Sequence, residues 1–317
     1  MTKFLIIRFS SIGDIILTTP IMRCLKLQYP EAEVHYATKK SYKTLLENNP
    51  YIDKVFVLEN GLNQLIKSLQ SEEYDYVIDL HNNLRTSIIK LRLGVKSFSF
   101  DKLNFQKWIL VKFKKNVMPK VHIVDRYMKT VEFLGVRNDN NGLDYFIPEK
   151  DKMPLDWLPE NFRNDYAIYA IGGQHETKKL PLNKMIELYQ TIKLPLVLIG
   201  GKEDFEMGEN LISAMCLPNS KIFNACGKCS LNESASLIQN SKIVYTHDTG
   251  MMHVASALKK KVVSIWGNTV PELGMYPYQT DFEVIENKDL NCRPCSKIGY
   301  EKCPLGHFKC MNELKFS

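Results

Sequence analysis

"YTHDTGMMHVASALKKKVVSIWGNT", residues 245–269, decides the fold. Residues 242–245 form an apolar strand that runs into this stretch, residues 251–258 have helical composition and spacing, and residues 261–266 are β-rich again. The order strand, tight turn, helix, strand is that of a parallel α/β sheet. The turn itself, Thr246-His247-Asp248-Thr249-Gly250, offers Asp248 or Thr249 as helix N-cap and a glycine that lets a ligand approach the backbone. A helix starting beyond the carboxyl end of a strand presents unpaired N–H groups and the positive end of its dipole, and both favour an anion such as a diphosphate. A helix that is merely capped needs neither Gly250 nor the crowding of Thr246, Thr249 and His253 about one turn. Asp248, Thr249, Gly250 and His253 are therefore expected at a phosphate site, with His253 packing or orienting the turn.

Working outward, the second half repeats the pattern at residues 165–171, 194–199 and 221–225, with Gly-containing turns "IGG" from Ile171, "IGG" from Ile199 and "WGN" from Trp266. The first half alternates β-rich runs at 4–9, 34–38, 54–58 and 74–80 with helical stretches at 15–28 and 62–70. Both halves read as doubly wound parallel sheets, whose ligands bind beyond the carboxyl ends of the strands. A chain of 317 residues with 44% hydrophobic content has core enough for two domains. The polar, proline-containing stretch 136–165 reads as the linker and places the boundary at Glu149, giving domains 1–149 and 150–317. No G-x-G-x-x-G follows the first strand and no G-x-x-x-x-G-K-[ST] occurs, which argues against a dinucleotide dehydrogenase or a P-loop enzyme.

Three further turns carry chemistry. "SSIGDIILTTP", residues 10–20, sets Asp14 beside Ser10, Ser11 and Gly13 in an oily stretch. Desolvation by Ile12, Ile15 and Ile16 is expected to raise the basicity of Asp14, and the competing role is a helix cap aided by Ser11. "GGQHETKKLPLNKM", residues 172–185, brings Thr177 and Lys178 after a strand, where a lysine neutralises charge on a departing phosphate. "CGKCSL", residues 226–231, does the same with Gly227 and Lys228, and Ser230 is expected to cap the helix that begins at Leu231.

Six stretches in order, "RFSSIGDIILTTPIMRCLK", "DLHNNLRTSIIKLRLG", "HIVDRY", "ETKKLP", "GKCSL" and "HDTGMMHVASAL", resemble glycosyltransferase family 9, the ADP-heptose:lipopolysaccharide heptosyltransferases. The resemblance implies a GT-B architecture, two Rossmann-like domains facing a cleft, with the acceptor on the first and the nucleotide sugar on the second. It implies that Asp14 is the general base of an inverting transfer and that Lys178 stabilises the leaving group. Thr177, Lys178, Gly227, Lys228, Asp248, Thr249, Gly250 and His253 then fall to the nucleotide sugar, and Ser10, Ser11, Gly13, Asn82, Asn83 and Arg85 to the acceptor. Leu180 stands where the family often has tryptophan. With no D-x-D carboxylate pair, no cofactor or catalytic metal is expected.

The net charge of +7 is concentrated: residues 90–120 hold nine Lys or Arg against one acid, Asp101. Interleaved with Phe98, Phe105, Trp108 and Phe113, this patch fits an anionic lipid-linked glycan acceptor at the inner membrane surface, with Lys112, Lys114 and Lys115 on its phosphates and Trp108 and Phe113 at the interface. A solvated amphipathic helix is the plainer explanation. No apolar run approaches the ~20 residues that span a bilayer, and Arg8 and Asp14 interrupt the N-terminal run that would otherwise resemble a signal peptide, so a mature cytoplasmic protein is expected, peripheral to the membrane at most. Cys292, Cys295, Cys303 and Cys310 cluster in one short segment; structural zinc, free thiols and disulfides are all open. The leading expectation is transfer of heptose from ADP-heptose to a lipopolysaccharide inner-core acceptor. The alternatives are another nucleotide sugar or glycan, or a noncatalytic nucleotide binder; nucleic acid is not expected, since no reader motif accompanies the basic patch.

Overall fold

A computed structural model describes residues 2–215 and 221–316. Five strands, β1 (Lys3–Ile7), β2 (Glu33–Lys39), β3 (Lys54–Leu58), β4 (Tyr76–Asp79) and β5 (Lys96–Ser99), form one sheet in the order β3-β2-β1-β4-β5. Six more, β6 (Ala167–Ala170), β7 (Leu196–Ile199), β8 (Ile222–Asn224), β9 (Ile243–His247), β10 (Lys261–Trp266) and β11 (Phe282–Glu286), form a second in the order β11-β10-β9-β6-β7-β8. Every pairing is parallel. Interior parallel strands are covered on both faces, so β6 and β7 are buried at every residue and read as continuous apolar runs. The two strands missing from the sequence reading, β5 and β11, are edges that are exposed or half-buried throughout.

The helices include α1 (Ile12–Ile16), α2 (Thr19–Gln28), α3 (Leu62–Gln70), α4 (Leu84–Leu93), α5 (Asn104–Phe113), α6 (Ile123–Met128), α7 (Leu182–Thr191), α8 (Phe205–Ala214), α9 (Leu231–Asn240), α10 (Gly250–Ala257) and α11 (Lys309–Asn312). The single helix expected over residues 15–28 is two. Pro20 has no N–H to give the carbonyl of Ile16, which accepts instead from Thr19 Oγ1 at 2.8 Å, while proline is tolerated in the first turn of α2.

The chain divides into two compact units, residues 1–102 with 121–146, and residues 103–120 with 147–317. Two segments depart from the composition-based boundary. Residues 136–146 are no loose linker: Arg23, 4% exposed on α2, gives Nε and Nη2 to the Asp139 carboxylate at 2.7 and 2.8 Å, pairs with Asp144 and donates to the Gly142 carbonyl. The boundary at Glu149 places helix α5 in the first domain, but residues 103–120 belong to the second unit, where Leu110 packs with Val270, Leu273 and Met118. Val270 and Leu273 are remote from the helix in sequence, so composition gave no sign of the docking.

The Arg23 clamp gives a stability prediction. Hydrogen bonds from Arg23 hold the Asp139 carboxyl well below its ordinary 3.8 against the opposing effect of burial, so its contribution is complete above about pH 4 and lost as the pH falls through the lower folded value. Arg23→Met removes the partner of both acids and is expected to lower unfolding free energy by ~3 kcal/mol at pH 7 in urea titrations, with a smaller difference from wild type at pH 3.

Candidate functional site

In the first unit the site is built where β1 ends. Arg8, 8% exposed, donates Nε to the Ser10 carbonyl at 2.8 Å and Nη1 to the Leu80 carbonyl at 2.5 Å, and its Nη2 meets Asp14 Oδ1 at 2.5 Å. Asp14 is the third residue of α1, and its Oδ2 accepts from the Ser11 N–H at 3.2 Å and the Ser11 hydroxyl at 2.9 Å. The carboxylate is thus both a helix-terminal acceptor and half of an ion pair. Burial works against its charge, as the sequence led one to expect, but Arg8 and the two Ser11 donors outweigh it and hold the carboxyl below its ordinary value. The expected gain in basicity is not found: the apolar neighbours are adjacent in sequence, whereas the opposing guanidinium comes from the end of β1.

Around this pair stand Tyr36 and Tyr127, both buried, with phenols pushed up chiefly by burial; Tyr36 shares a 2.9 Å hydrogen bond with Thr18. His81 lies edge-on to Phe9 at 5.6 Å, and burial, then Arg8 and Lys102, push it down to about 4, so the ring is neutral at pH 7. The other acceptor residues expected from sequence have mixed fates. Ser11 stays exposed, Ser10 is half-buried, and Gly13 is buried inside α1. Asn82 gives its side-chain amide to the Phe100 carbonyl at 3.1 Å, and Asn83 caps α4 by accepting from the Thr86 N–H at 3.1 Å. Arg85 is exposed on α4. Asp79, fully buried beneath this turn, receives the N–H groups of His81 and Asn82 and pairs with Lys90 at 2.9 Å.

In the second unit the turns after β6, β7, β8, β9 and β10 come together at one edge of the sheet. Lys178 Nζ donates to Asp248 Oδ2 at 2.6 Å and to its carbonyl at 2.8 Å, and the Thr269 hydroxyl donates to the same Oδ2 at 2.8 Å. Three turns are thereby tied through one carboxylate. Thr249 occupies the N-cap position of α10 in extended conformation without a side-chain cap bond, and Gly250 opens the helix. A Cβ on Gly173 would lie 3.3 Å from Thr249 Cγ2, so glycine permits this turn to sit against the first. Gly227 has φ +69°, and a Cβ there would stand 2.9 Å from Lys202 Cα. Ser230 caps α9 by accepting from the Glu233 N–H at 3.3 Å.

Two expected phosphate contacts are otherwise engaged. The Thr177 hydroxyl donates to the Tyr300 carbonyl at 3.0 Å and accepts from its N–H at 2.8 Å, which spends it on holding the C-terminal segment. Lys228 lies over the rings of Phe223 and Phe205 at 5.2 and 5.6 Å. His253 is buried in α10. Sequence reasoning missed His247, whose Nε2 accepts from the Leu180 N–H at 3.1 Å and faces the Tyr169 hydroxyl at 3.0 Å. Burial, then Lys179 and Lys178, push its ring down to about 3. The only hint was its place inside the motif already quoted.

Of the basic residues, Lys112 and Lys115 are exposed, whereas Lys114 is committed to the carbonyls of Val111 and Pro294 at 2.7 and 2.6 Å. Lys114 thus ties the end of α5 to the Pro294 carbonyl. Cys292, Cys295, Cys303 and Cys310 form no disulfide; burial pushes Cys310 up to about 12, opposed by Arg293 and reinforced by Cys295, Cys303 and Cys292. Among the described residues, Glu33, His35 and Glu72 bring possible ligand atoms within 4.8 Å of one another, but both carboxylates already pair with Lys3. No described helix is long and apolar enough to cross a membrane.

Residues 62–305 match the model of glycosyltransferase family 9 (heptosyltransferase). The lipooligosaccharide heptosyltransferase 2 of Haemophilus influenzae is 28% identical over 333 residues, covering 94% of this chain and 93% of the relative. The lipopolysaccharide heptosyltransferase 1 of Campylobacter coli is 26% identical over 291 residues, 84% of each chain. The solved structure of the Escherichia coli ADP-heptose lipopolysaccharide heptosyltransferase II superposes with a TM-score of 0.70 at 21% identity, covering 98% of both chains. The fold is GT-B.

His247 offers a check on the second site's construction. Its folded pKa lies below the unfolded 6.5, so the unfolded chain binds more protons between the two values and stability falls as the pH drops from 6.5 towards 3. His247→Leu strands the Leu180 N–H and is expected to cost about 1–3 kcal/mol at pH 7 in denaturant titrations, while flattening the acid-side loss of stability.

Proposed function

Because the chain belongs to glycosyltransferase family 9, we propose that it is an inverting, metal-independent heptosyltransferase that moves heptose from ADP-heptose to a lipopolysaccharide inner-core acceptor at the cytoplasmic face of the inner membrane. The observation that carries this reading is the carboxylate of Asp14, fixed by Arg8 and Ser11 where the first sheet's β1 ends. A chain that only bound nucleotide would gain nothing from a charged, oriented base there. Similarity to proteins named as lipopolysaccharide and lipooligosaccharide heptosyltransferases supports the donor and acceptor.

The chemistry follows from the atoms. Asp14 stays ionised at neutral pH, and Oδ2 has lone-pair capacity beyond the two Ser11 donors for an acceptor hydroxyl. As that oxygen attacks the anomeric carbon from the face opposite the diphosphate, Asp14 takes its proton and the configuration inverts. Arg8 weakens the base but keeps it charged and aimed, and the carbonyls of Leu80 and Ser10 keep Arg8 in place. On the donor side the N–H groups opening α10 and the Lys178 ammonium receive the charge that grows on the departing diphosphate.

Asp14→Asn is expected to lower kcat by ~10²-fold or more with donor affinity intact, because general-base assistance is commonly worth that much. Calorimetric donor titration beside single-turnover transfer separates the two; near-normal kcat would leave Asp14 as a helix-terminal acceptor only. In wild type the depressed Asp14 pKa predicts no loss of kcat from this group between pH 5 and 8. Lys178→Ala should weaken donor binding and transfer together. The reading as a whole is tested by offering a panel of nucleotide sugars to the purified chain: turnover of a different donor, or binding of ADP without turnover of any sugar, would replace it.

A further inference from the structure

Helix α5 buries one side and leaves an aromatic face in water. Leu110 is buried and packs with Val270, Leu273 and Met118, and Leu103, which precedes the helix, is buried as well. On the opposite face Phe105 and Trp108 are 67% and 52% exposed, with Lys112 following at the same helical spacing. Phe113, 57% exposed, extends the patch. The rings touch each other: Phe105 stacks on Trp108 at 6.0 Å between centroids, and Phe113 meets Trp108 edge-on at 5.2 Å. Such rings bury large apolar areas once covered, so a surface built this way has a partner.

Charge selects which. Residues 103–120 contain five lysines and no acid. Lys112, Lys115 and Lys120 are exposed, while Lys114 is tied down. A second copy of the chain would bring the same uncompensated positive charge to the interface and be repelled. Aromatic rings flanked by lysines, by contrast, match the headgroup level of an anionic bilayer, where the rings partition and the ammonium groups meet phosphates.

We infer that α5 is an interfacial anchor: Phe105, Trp108 and Phe113 enter the headgroup region of an anionic phospholipid bilayer, and Lys112, Lys115 and Lys120 hold its phosphates. This deepens the function proposed above and rests on it for the membrane met in the cell. Binding to lipid is tested apart from transfer.

The experiment is flotation of the full chain with phosphatidylglycerol–phosphatidylcholine vesicles, set against phosphatidylcholine alone. The chain should float with the anionic vesicles at low salt and be released as salt rises, and Trp108 emission should move to the blue on binding. Trp266 is buried and Trp157 packs against Phe223, so neither should respond. Trp108→Phe should lose the spectral shift and keep flotation. Lys112→Glu with Lys115→Glu should weaken binding at least tenfold, and Phe105→Ser with Trp108→Ser should abolish it while circular dichroism stays unchanged. No flotation of wild type at low salt, equal flotation with the neutral vesicles, or binding untouched by these substitutions would overturn the anchor. So would a dimer in sedimentation velocity that the ring variant converts to monomer, which would make this face a self-interface. Transfer to a delipidated acceptor, measured in parallel, keeps the two readings apart: transfer without vesicle binding sinks the anchor alone, and vesicle binding without transfer sinks the enzymatic reading alone.

Discussion

A guanidinium taken out of water must find its hydrogen-bond partners in the protein, and the first unit is arranged around how Arg8 finds them. It reaches the carbonyls of Ser10 and Leu80 and the Asp14 carboxylate, so three separate pieces of chain are fixed by one side chain. Removing any partner would leave buried charge unpaired, which costs far more than the pair gains. The turn after β1, the turn after β4 and the start of α1 are therefore held in one relation to each other. The same constraint sets the electrostatics: burial alone would have made Asp14 a reluctant anion, and Arg8 with the Ser11 donors holds its carboxyl below the ordinary value.

The second unit, the donor side of the proposed reaction, inverts this arrangement. Here an acid organises the cations. Asp248 gathers Lys178 and Thr269, and Asp204, itself fixed by the Gly201 N–H at 2.9 Å, holds Lys179 at 3.3 Å. Glycine is needed where these turns crowd. A Cβ on Gly172 would lie 2.5 Å from the Asp204 carboxylate, and Gly227 has both a positive φ and the Lys202 backbone against it. The repeated "IGG" turns thus have a packing reason beside any ligand.

How much of this the sequence disclosed depends on the range of the interaction concerned. Interior strands showed themselves as apolar runs because both faces are covered, while β5 and β11, at the edges, did not. Ser230 was legible as a cap because the bond spans three residues. The break between α1 and α2 rests on a local signal as well, a proline without an N–H in the first turn of α2, set against an apolar period that runs across it. What no local pattern carried were partners far apart in the chain: Arg23 with Asp139, Thr177 with Tyr300, Lys114 with Pro294. Each reassigns a residue whose type alone suggested a linker acid, a phosphate ligand or a free cation.

The Lys178–Asp248 pair sits between those cases. Residue type and motif placed both at the phosphate turn, and the structure adds that each is already the other's partner. That pairing keeps a lysine of low exposure from carrying unbalanced charge, and it holds the ammonium beside the start of α10 instead of letting a long side chain wander. A diphosphate entering there does not have to order Lys178, since the entropy of fixing that side chain is already spent in folding. It must share the ammonium with one carboxylate, and a group bearing more charge than Asp248 can win that share while Thr269 continues to hold the acid. On the proposed reading the same pair favours a multiply charged anion, because a single carboxylate offers Lys178 nothing that Asp248 does not already supply.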